Sequence, residues 1–466
     1  MFTTYHGWEN DLKSKLFGSS GARGIINVDL TPVLISRIGS AIVTFSKAEK
    51  ILLGHDTRVS SLMVENALVS SLVAGGAKAD CLGVVTTPIL AYLTKELKAD
   101  VGIMITASHN PPQYNGIKIF SSEGMAYTEE KQNEIERIVK SNKFRLTDWR
   151  NLGEISSADE SNRYIELIRK KVKLDRQWHV VIDPGCGATC HLAPALLESL
   201  GCKVTTLNAQ PDGFFPGRSP EPSVESLKPL TKIVQVLGMD AGIAYDGDGD
   251  RVAFVDEDGF FIDFDQILAA YATHVVKRNS GGIIVTNVEA SMCVEKMVNT
   301  FNGEVIRARV GDVYVSEAMK KYDAFFGGEP CGAWVHPQFH YCPDGVLSSV
   351  LLLKALEDEN KELSEFISEV PQYETLRENV VCRNEVKYRV MEKVKDELRS
   401  LFPTHRQIST VDGVRLSVES GWILVRASGT EPVIRLTVEG ESSKTAKTML
   451  DDVVMWITSI IEGVER

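Results

Sequence analysis

Apolar residues in this chain fall into short continuous runs separated by helical stretches, and the alternation occurs three times. Lys50–Gly54, with Ile51-Leu52-Leu53 at its centre, reads as a buried-strand run. A helical pattern from Ser61 to Ala74 follows and stops at Gly75-Gly76. Strands are predicted at 79–85 and 100–106, with a helix at 88–97 between them. The second passage places a strand at 178–183, a helix at 191–200 ended by Gly201, and a strand at 203–207. The third has a strand at 282–286, a helix at 292–299 and a strand at 304–308. Apolar runs of this length read as strands buried on both faces, and strands alternating with helices of ten or so residues make βαβ units. Loops that carry function then belong at the carboxyl ends of the strands.

The last part of the chain differs. Residues 388–401 read as an amphipathic helix, 413–417, 422–426 and 433–439 as antiparallel strands, and 445–461 as a closing helix. The expected fold class is α/β: three similar mixed α/β domains at 1–150, 151–258 and 259–372, plus a smaller C-terminal α+β domain at 373–466. Linkers poor in Pro and Gly predict hinging between them.

Composition narrows the function. The chain has 466 residues, more than one core accommodates. Apolar and charged shares of 43% and 24% are those of a soluble globular protein. No apolar run approaches the roughly 18 residues of a membrane span. Met1–Trp8 lacks a leader pattern, so a cytoplasmic protein is expected. A net charge of −12 argues against a nucleic-acid partner, yet a local arginine cluster still accommodates a small anion. Eight scattered cysteines read as reduced thiols. Cys186, Cys190 and His191 lack the second pair that a zinc site needs.

Three distant segments carry candidate chemistry. Ser108 follows the apolar run Val101–Ile105 and precedes Asn110-Pro111-Pro112, which forces a turn. Taken alone it is a turn serine; as a nucleophile it needs a metal, a base or prior phosphorylation. No Gly-x-Ser-x-Gly elbow surrounds it. Asp246, Asp248 and Asp250 follow the run Ala241–Tyr245. Carboxylates two apart on an extended strand lie ~6.6 Å apart, so Gly247 and Gly249 are expected to curl the backbone until they converge. Three oxygen ligands with open positions suit Mg²⁺, whereas an EF-hand would need glycine where Arg251 stands. Arg426, Ser428, Gly429, Thr430 and Arg435 form a small-residue loop framed by arginines, suited to phosphate. The glycine-rich stretch Gly18–Gly24 contains Arg23 but lacks the lysine end of a nucleotide loop.

The order and wording of these segments, with Gly54–Arg58, Asp212–Pro222 and Gly328–Gly332, resemble the α-D-phosphohexomutase family from Gly18 to Gly440. The loop wording is most similar to archaeal phosphoglucosamine mutases. The resemblance implies four domains around a central cleft and transfer of phosphate between O6 and O1 of a hexose phosphate. Phosphorylated Ser108 would donate to the sugar, a sugar 1,6-bisphosphate would form, and its other phosphate would return to the serine. Asp246, Asp248 and Asp250, with the Ser108 phosphoryl group, would hold Mg²⁺. Arg23 and Arg251 would neutralise charge, and Lys118, with His109 nearby, would move the proton. Glu329 and Cys331 would face the sugar, and Arg426, Ser428, Gly429, Thr430 and Arg435 the phosphate not reacting.

Two departures from the family pattern bear on the substrate. Cys331 and Ala333 stand where members often have serine and histidine, leaving His336 as a candidate stand-in. Asp312 stands where many phosphomannomutases have histidine. Glucosamine 6-phosphate is therefore the expected substrate, with mannose and glucose phosphates as alternatives. A metal-dependent sugar phosphatase or a non-catalytic sugar-phosphate binder are readings from other classes. A monomer or homodimer is expected.

Overall fold

The structure is a computed structural model that describes residues 15–18, 21–403, 405–429 and 431–465. Two compact units form: one runs to Ile262 and takes in Cys331–Phe366, and the other comprises Asp263–Pro330 and the chain from Ile367 on. Among the described residues, no helix is long and apolar enough to cross a membrane.

Each of the three patterned passages folds the same way. A first strand lies in the middle, the second strand pairs with it in parallel on one side, and the third pairs in parallel on the other. In the first passage these are Lys50–His55, Lys78–Val84 and Val101–Ile105. In the second they are His179–Asp183, Lys203–Thr206 and Ala241–Tyr245. In the third they are Gly282–Asn287, Gly303–Ala308 and Phe326–Gly328. Reversal of direction about the first strand creates a switch point between first and third strands, where open α/β sheets bind ligands. The third strand of each passage leads into a candidate loop: Ser108, the three aspartates, and Glu329.

The sheets are mixed rather than parallel throughout. Tyr114–Ser121 is a strand antiparallel to Val101–Ile105. Residues 115–120 are buried, which is what a strand inside a sheet covered on both faces requires. The first sheet has seven strands and the second four, the latter edged by antiparallel Val252–Val255.

Helix ends follow local chemistry. Thr31 and Thr86 cap helices that begin at Pro32 and Thr87, each with proline in the first turn, and Asp344 caps Gly345–Glu359. The Asp344 carboxylate accepts from Leu347 N at 2.9 Å and His340 Nε2 at 3.0 Å, and also from the Tyr164 hydroxyl.

In the second unit, the C-terminal strands form a five-stranded antiparallel sheet in which Val433–Gly440 lies between Glu374–Val381 and Gly421–Ala427. Helices Lys387–Leu401 and Ser443–Glu465 bury Val390, Val394, Leu398, Val453 and Ile457 against it. This is the α+β domain that the period change after residue 387 predicts.

The strand that delivers Ser108 depends on its apolar side chains. Ile103 is fully buried at its centre. Ile103→Ala should cost about 2–5 kcal/mol of stability and lower the thermal unfolding midpoint of the first unit by several degrees. Val59→Ala, at an exposed position, should leave the midpoint unchanged in the same calorimetric scan.

Candidate active site

Ser108 sits at the tip of a turn that the rest of the first unit holds in place. Its backbone is left-handed, with φ +52°, a conformation that costs a non-glycine residue about 1–2 kcal/mol. Ser108 N donates to Thr106 Oγ1 at 2.8 Å, and Thr106 Oγ1 donates to Asp56 Oδ2 at 2.6 Å. Arg58 completes the frame. Its Nε donates to Asp56 Oδ2 at 3.0 Å, and its remaining N–H groups reach Pro111 O, Tyr114 O, Ser108 O and Asn110 O at 2.7, 3.0, 2.8 and 2.6 Å. All five guanidinium donors are thus used, four of them on carbonyls of one turn. Both Asp56 and Arg58 are buried. Burial pushes the Asp56 carboxyl up, against the pull of Arg58.

The hydroxyl of Ser108 is itself buried and donates to Asp246 Oδ2 at 2.7 Å. Asp246, Asp248 and Asp250 each present an oxygen, and these atoms all lie within 4.8 Å of one another. The two glycines between them act differently. Gly249 has φ +76°, the turn conformation that the spacing predicts. Gly247 is needed for contact instead: a Cβ there would lie 2.5 Å from Ser108 O.

Like charges this close raise one another's pKa. Burial, and then Asp250 and Asp248, hold Asp246 well above the carboxylate range. Burial and Asp248 push Asp250 up as well. Burial would also raise Asp248, but Lys118 pulls it below its ordinary value. Lys118 Nζ donates to Asp248 Oδ2 at 2.8 Å and Asp250 Oδ2 at 2.6 Å, and Thr87 Oγ1 donates to Asp248 Oδ2 at 2.5 Å. Asp248 Oδ1 and Asp250 Oδ1 are buried with no hydrogen-bond partner among the described residues. Two unsatisfied anionic oxygens beside a third carboxylate are a donor set that fits a hard divalent cation.

Cationic and imidazole groups border the serine. His109 Nδ1 lies 3.2 Å from Ser108 Oγ. Burial, then Arg251 and Arg23, lower the imidazole pKa to about 2, so it is neutral. Arg23 Nη1 donates to Asn110 Oδ1 at 2.9 Å, and Arg251 Nη1 to Glu221 Oε1 at 3.1 Å. The Cys331 segment belongs here too: Ala333 bridges Arg251, and Val252 N donates to Gly332 O at 3.1 Å. His336 is buried, 2.9 Å from Ser348 Oγ, and burial lowers its pKa to about 3. It is a core imidazole rather than a free one. Cys186 and Cys190 are buried thiols, the latter pushed up to about 12 by burial.

The second unit holds the remaining candidates. Glu329 Oε1 accepts from Asn287 Nδ2 at 2.7 Å and Gly311 N at 2.8 Å, at the start of the helix Asp312–Tyr322. Arg426 donates to Asp412 Oδ2 at 2.9 Å and pairs with Glu289 Oε1 at 3.2 Å. Arg435 donates to Glu431 Oε2 at 2.7 Å and is half-exposed. Ser428 Oγ accepts from Glu431 N at 3.1 Å, and a side chain at Gly429 would meet open space. Thr430 lies outside the described residues.

The supporting roles of two residues are not legible in the sequence. Arg58 was visible only as part of a motif, because the carbonyls it binds lie about fifty residues away. Lys387 is buried and donates to Ser428 O at 2.8 Å and to Glu431 O, pinning the loop from behind. No pattern around residue 387 announces that role.

Comparison with known proteins places the whole chain. Models of phosphoglucomutase/phosphomannomutase match at alpha/beta/alpha domain I over residues 14–146, domain II over 162–259, domain III over 263–373 and the C-terminal domain over 379–455. A probable phosphoglucosamine mutase of Methanothermobacter thermautotrophicus is 44% identical over 437 residues, 93% of this chain and 96% of that one. The phosphoglucosamine mutase of Methanocaldococcus jannaschii is 41% identical over 442 residues, 94% of this chain and 97% of that one. A phosphoglucomutase/phosphomannomutase family protein from Burkholderia thailandensis has a solved structure that superposes with a TM-score of 0.86 at 26% identity, over 96% of this chain and 97% of that one.

Removing Arg58 leaves a buried carboxylate unpaired and four carbonyls without a donor. Arg58→Ala should cost about 3–5 kcal/mol and release the Ser108 turn. Hydrogen exchange of residues 106–116 should accelerate in the variant. Arg58→Lys should fail to restore protection, because one ammonium cannot span the same carbonyls.

Proposed function

The chain belongs to the phosphoglucomutase/phosphomannomutase family, and from that premise we propose that it interconverts glucosamine 6-phosphate and glucosamine 1-phosphate through a phosphoserine at Ser108. The observation that carries this reading is the Ser108 hydroxyl, hydrogen-bonded at 2.7 Å to one carboxylate of a buried aspartate cluster. A serine so placed can carry a phosphoryl group against a cation held by its neighbours. The names of the archaeal relatives support glucosamine as the sugar.

In the proposed reaction the sugar's free hydroxyl oxygen attacks the phosphorus on Ser108. The new P–O bond forms as the bond to Ser108 Oγ breaks, and a sugar 1,6-bisphosphate results. Reorientation presents the other phosphate, which returns to Ser108 Oγ and leaves the isomer. Asp246, Asp248, Asp250 and the Ser108 phosphoryl group would hold Mg²⁺, which supplies charge neutralisation at the transferring group. Arg23 and Arg251 add fixed positive charge. Lys118, held between Asp248 and Asp250 at the cluster, is the residue proposed to move the proton. Neutral His109 is the adjacent proton acceptor, and a phosphoryl group on Ser108 would raise its basicity.

Glu329 is proposed to accept hydrogen bonds from neighbouring sugar hydroxyls, with Cys331 nearby in the sequence. Arg426, Ser428, Gly429, Thr430 and Arg435 are proposed to hold the phosphate that is not reacting. Arg426 would then exchange a carboxylate partner for phosphate. Mannose and glucose phosphates are the second reading, because one carboxylate accepts from any two adjacent hydroxyls. The division at 150, 258 and 372, a cytoplasmic location and a monomeric or homodimeric state complete the proposal.

Turnover of glucosamine, glucose and mannose 6-phosphates, with Mg²⁺ and catalytic bisphosphate, tests the reading. The highest kcat/KM is expected on glucosamine 6-phosphate, with Ser108→Ala below 1% of it and free of phosphate by mass spectrometry. Inorganic phosphate as the main product would make the protein a phosphatase instead.

Arg435→Ala should raise KM roughly 10- to 100-fold for the 1-phosphate and the 6-phosphate alike, since one loop must serve both ends of the sugar. A change confined to one regioisomer would remove the loop from that role.

A further inference from the structure

The second unit contains a cavity of about 630 Å³ that the proposed reaction does not use. It lies between the helix Cys293–Asn299 with the strand Gly303–Ala308, and the C-terminal strands Gln407–Ser409, Val414–Val418 and Gly421–Ala427. Its cationic walls are Lys296, Arg307, Arg406 and Arg415. Arg307 is neutralised by Glu295 at 2.6 Å, and Arg406 pairs with Glu419 at 3.3 Å.

Arg415 is different. It is 7% exposed, and its guanidinium stacks over the Trp422 ring at 4.2 Å. One Nη makes a long 3.4 Å bond to Ala290 O, and Nε has no partner among the described residues. Glu441 also lines the cavity and lies in the field of Lys296, but the acids nearest Arg415 are committed elsewhere. Glu295 accepts from Arg307, Glu439 from Trp422 Nε1 at 2.7 Å and Met292 N at 2.9 Å, and Asp265 from Ser291 N at 2.8 Å. Burial and the neighbouring Arg307 lower the Arg415 pKa to about 9. Stacking on Trp422 explains the face of the guanidinium and leaves its Nε–H edge unused. A buried cation without a hydrogen-bonded counter-charge is costly, and an anion in the cavity would remove that cost.

We propose that this cavity is a second ligand site, taking a small organic phosphate whose charge meets Arg415 and Lys296. The volume exceeds that of a bare phosphate several-fold, and Gln407, Asn299 and Ser409 offer partners for a hydroxylated remainder. Lys296, held at the rim by Tyr373 OH at 3.0 Å, supplies the second cation.

The site bears on the reaction through residues 287–291. Arg307 donates to Asn287 O at 2.9 Å and to Ala290 O at 2.7 Å, and Arg415 also reaches Ala290 O. The same segment sends the Asn287 side chain to Glu329 and pairs Glu289 with Arg426. An anion that draws Arg415 off Ala290 therefore shifts the segment that orients both proposed substrate contacts. This coupling rests on the roles given above to Glu329 and Arg426; the binding does not.

Calorimetry without Mg²⁺, using inorganic pyrophosphate and adenosine diphosphate as probes, tests the site. Wild type and Ser108→Ala should bind one equivalent at sub-millimolar Kd. Lys296→Glu and Arg415→Met should weaken binding at least 10-fold, and Lys296→Glu alone decides if the buried variant fails to fold. Arg435→Ala should bind as wild type does. Absence of binding to wild type, or loss of it in Arg435→Ala, would overturn the site. In turnover assays, ADP should change KM for the sugar phosphate several-fold in wild type but not in Lys296→Glu. Binding with unchanged KM would overturn the coupling. Binding in a catalytically silent wild type would leave the site standing and remove the mutase reading.

Discussion

Three carboxylates share a volume in which like charges repel, and the architecture of the first unit follows from making that tolerable. Asp246, Asp248 and Asp250 converge within 4.8 Å while buried, where water screens them poorly. Lys118 spans two of them, Thr87 and Ser108 donate to the cluster, and backbone amides of Gly249 and Arg251 both reach Asp246 Oδ1, at 3.0 and 3.1 Å. What those donors leave unmet, two carboxylate oxygens without partners, is the demand a divalent cation answers. The serine turn is drawn against the cluster closely enough that only glycine fits at 247. Arg58 holds that turn with four of its five guanidinium donors. The strained φ at Ser108 persists because the surroundings over-determine it.

In the second unit the equivalent organising feature is the segment 287–291. It begins at the last residue of the central strand of the third repeat, much as Asp56–Arg58 follow that of the first. In both repeats a polar residue at the carboxyl end of the central strand reaches the loop after the third: Asp56 through Thr106, and Asn287 directly to Glu329. One topology thus places a supporting side chain and a candidate functional side chain on adjacent loops, which is the use that open α/β sheets make of a switch point.

The sequence disclosed most where one local rule was enough. Period and stop signals placed the helix Ser61–Ala74 and the strands after Trp178 and Gly282 within a residue or two of where they form. Two short apolar runs, leading to Ser108 and Asp246, announced where chemistry belongs, because strand ends and turn residues are local properties; the strand Phe326–Gly328 before Glu329 was not foreseen. The wording of those loops identified the family. The helices Pro32–Ser46 and Glu129–Ser141 and the strand Tyr114–Ser121 were not singled out. The last of these becomes a strand by pairing with Val101–Ile105, a partner that no local pattern names.

By itself, then, the sequence determined the three-fold strand and helix pattern, the separate character of the C-terminal domain, and the residue types at each loop. Tertiary structure alone decided which side chains meet. Arg58 binds carbonyls some fifty residues away, Lys118 reaches Asp248 across 130 residues, and Lys387 secures Ser428 across 41. The same holds for ionisation. Neutral His109 beside Ser108, and Arg415 buried with an unused donor, are consequences of burial and neighbouring charge. The physical reason is range: propensity, capping and turn chemistry act over a few residues, whereas desolvation and Coulomb interaction depend on what the fold brings near.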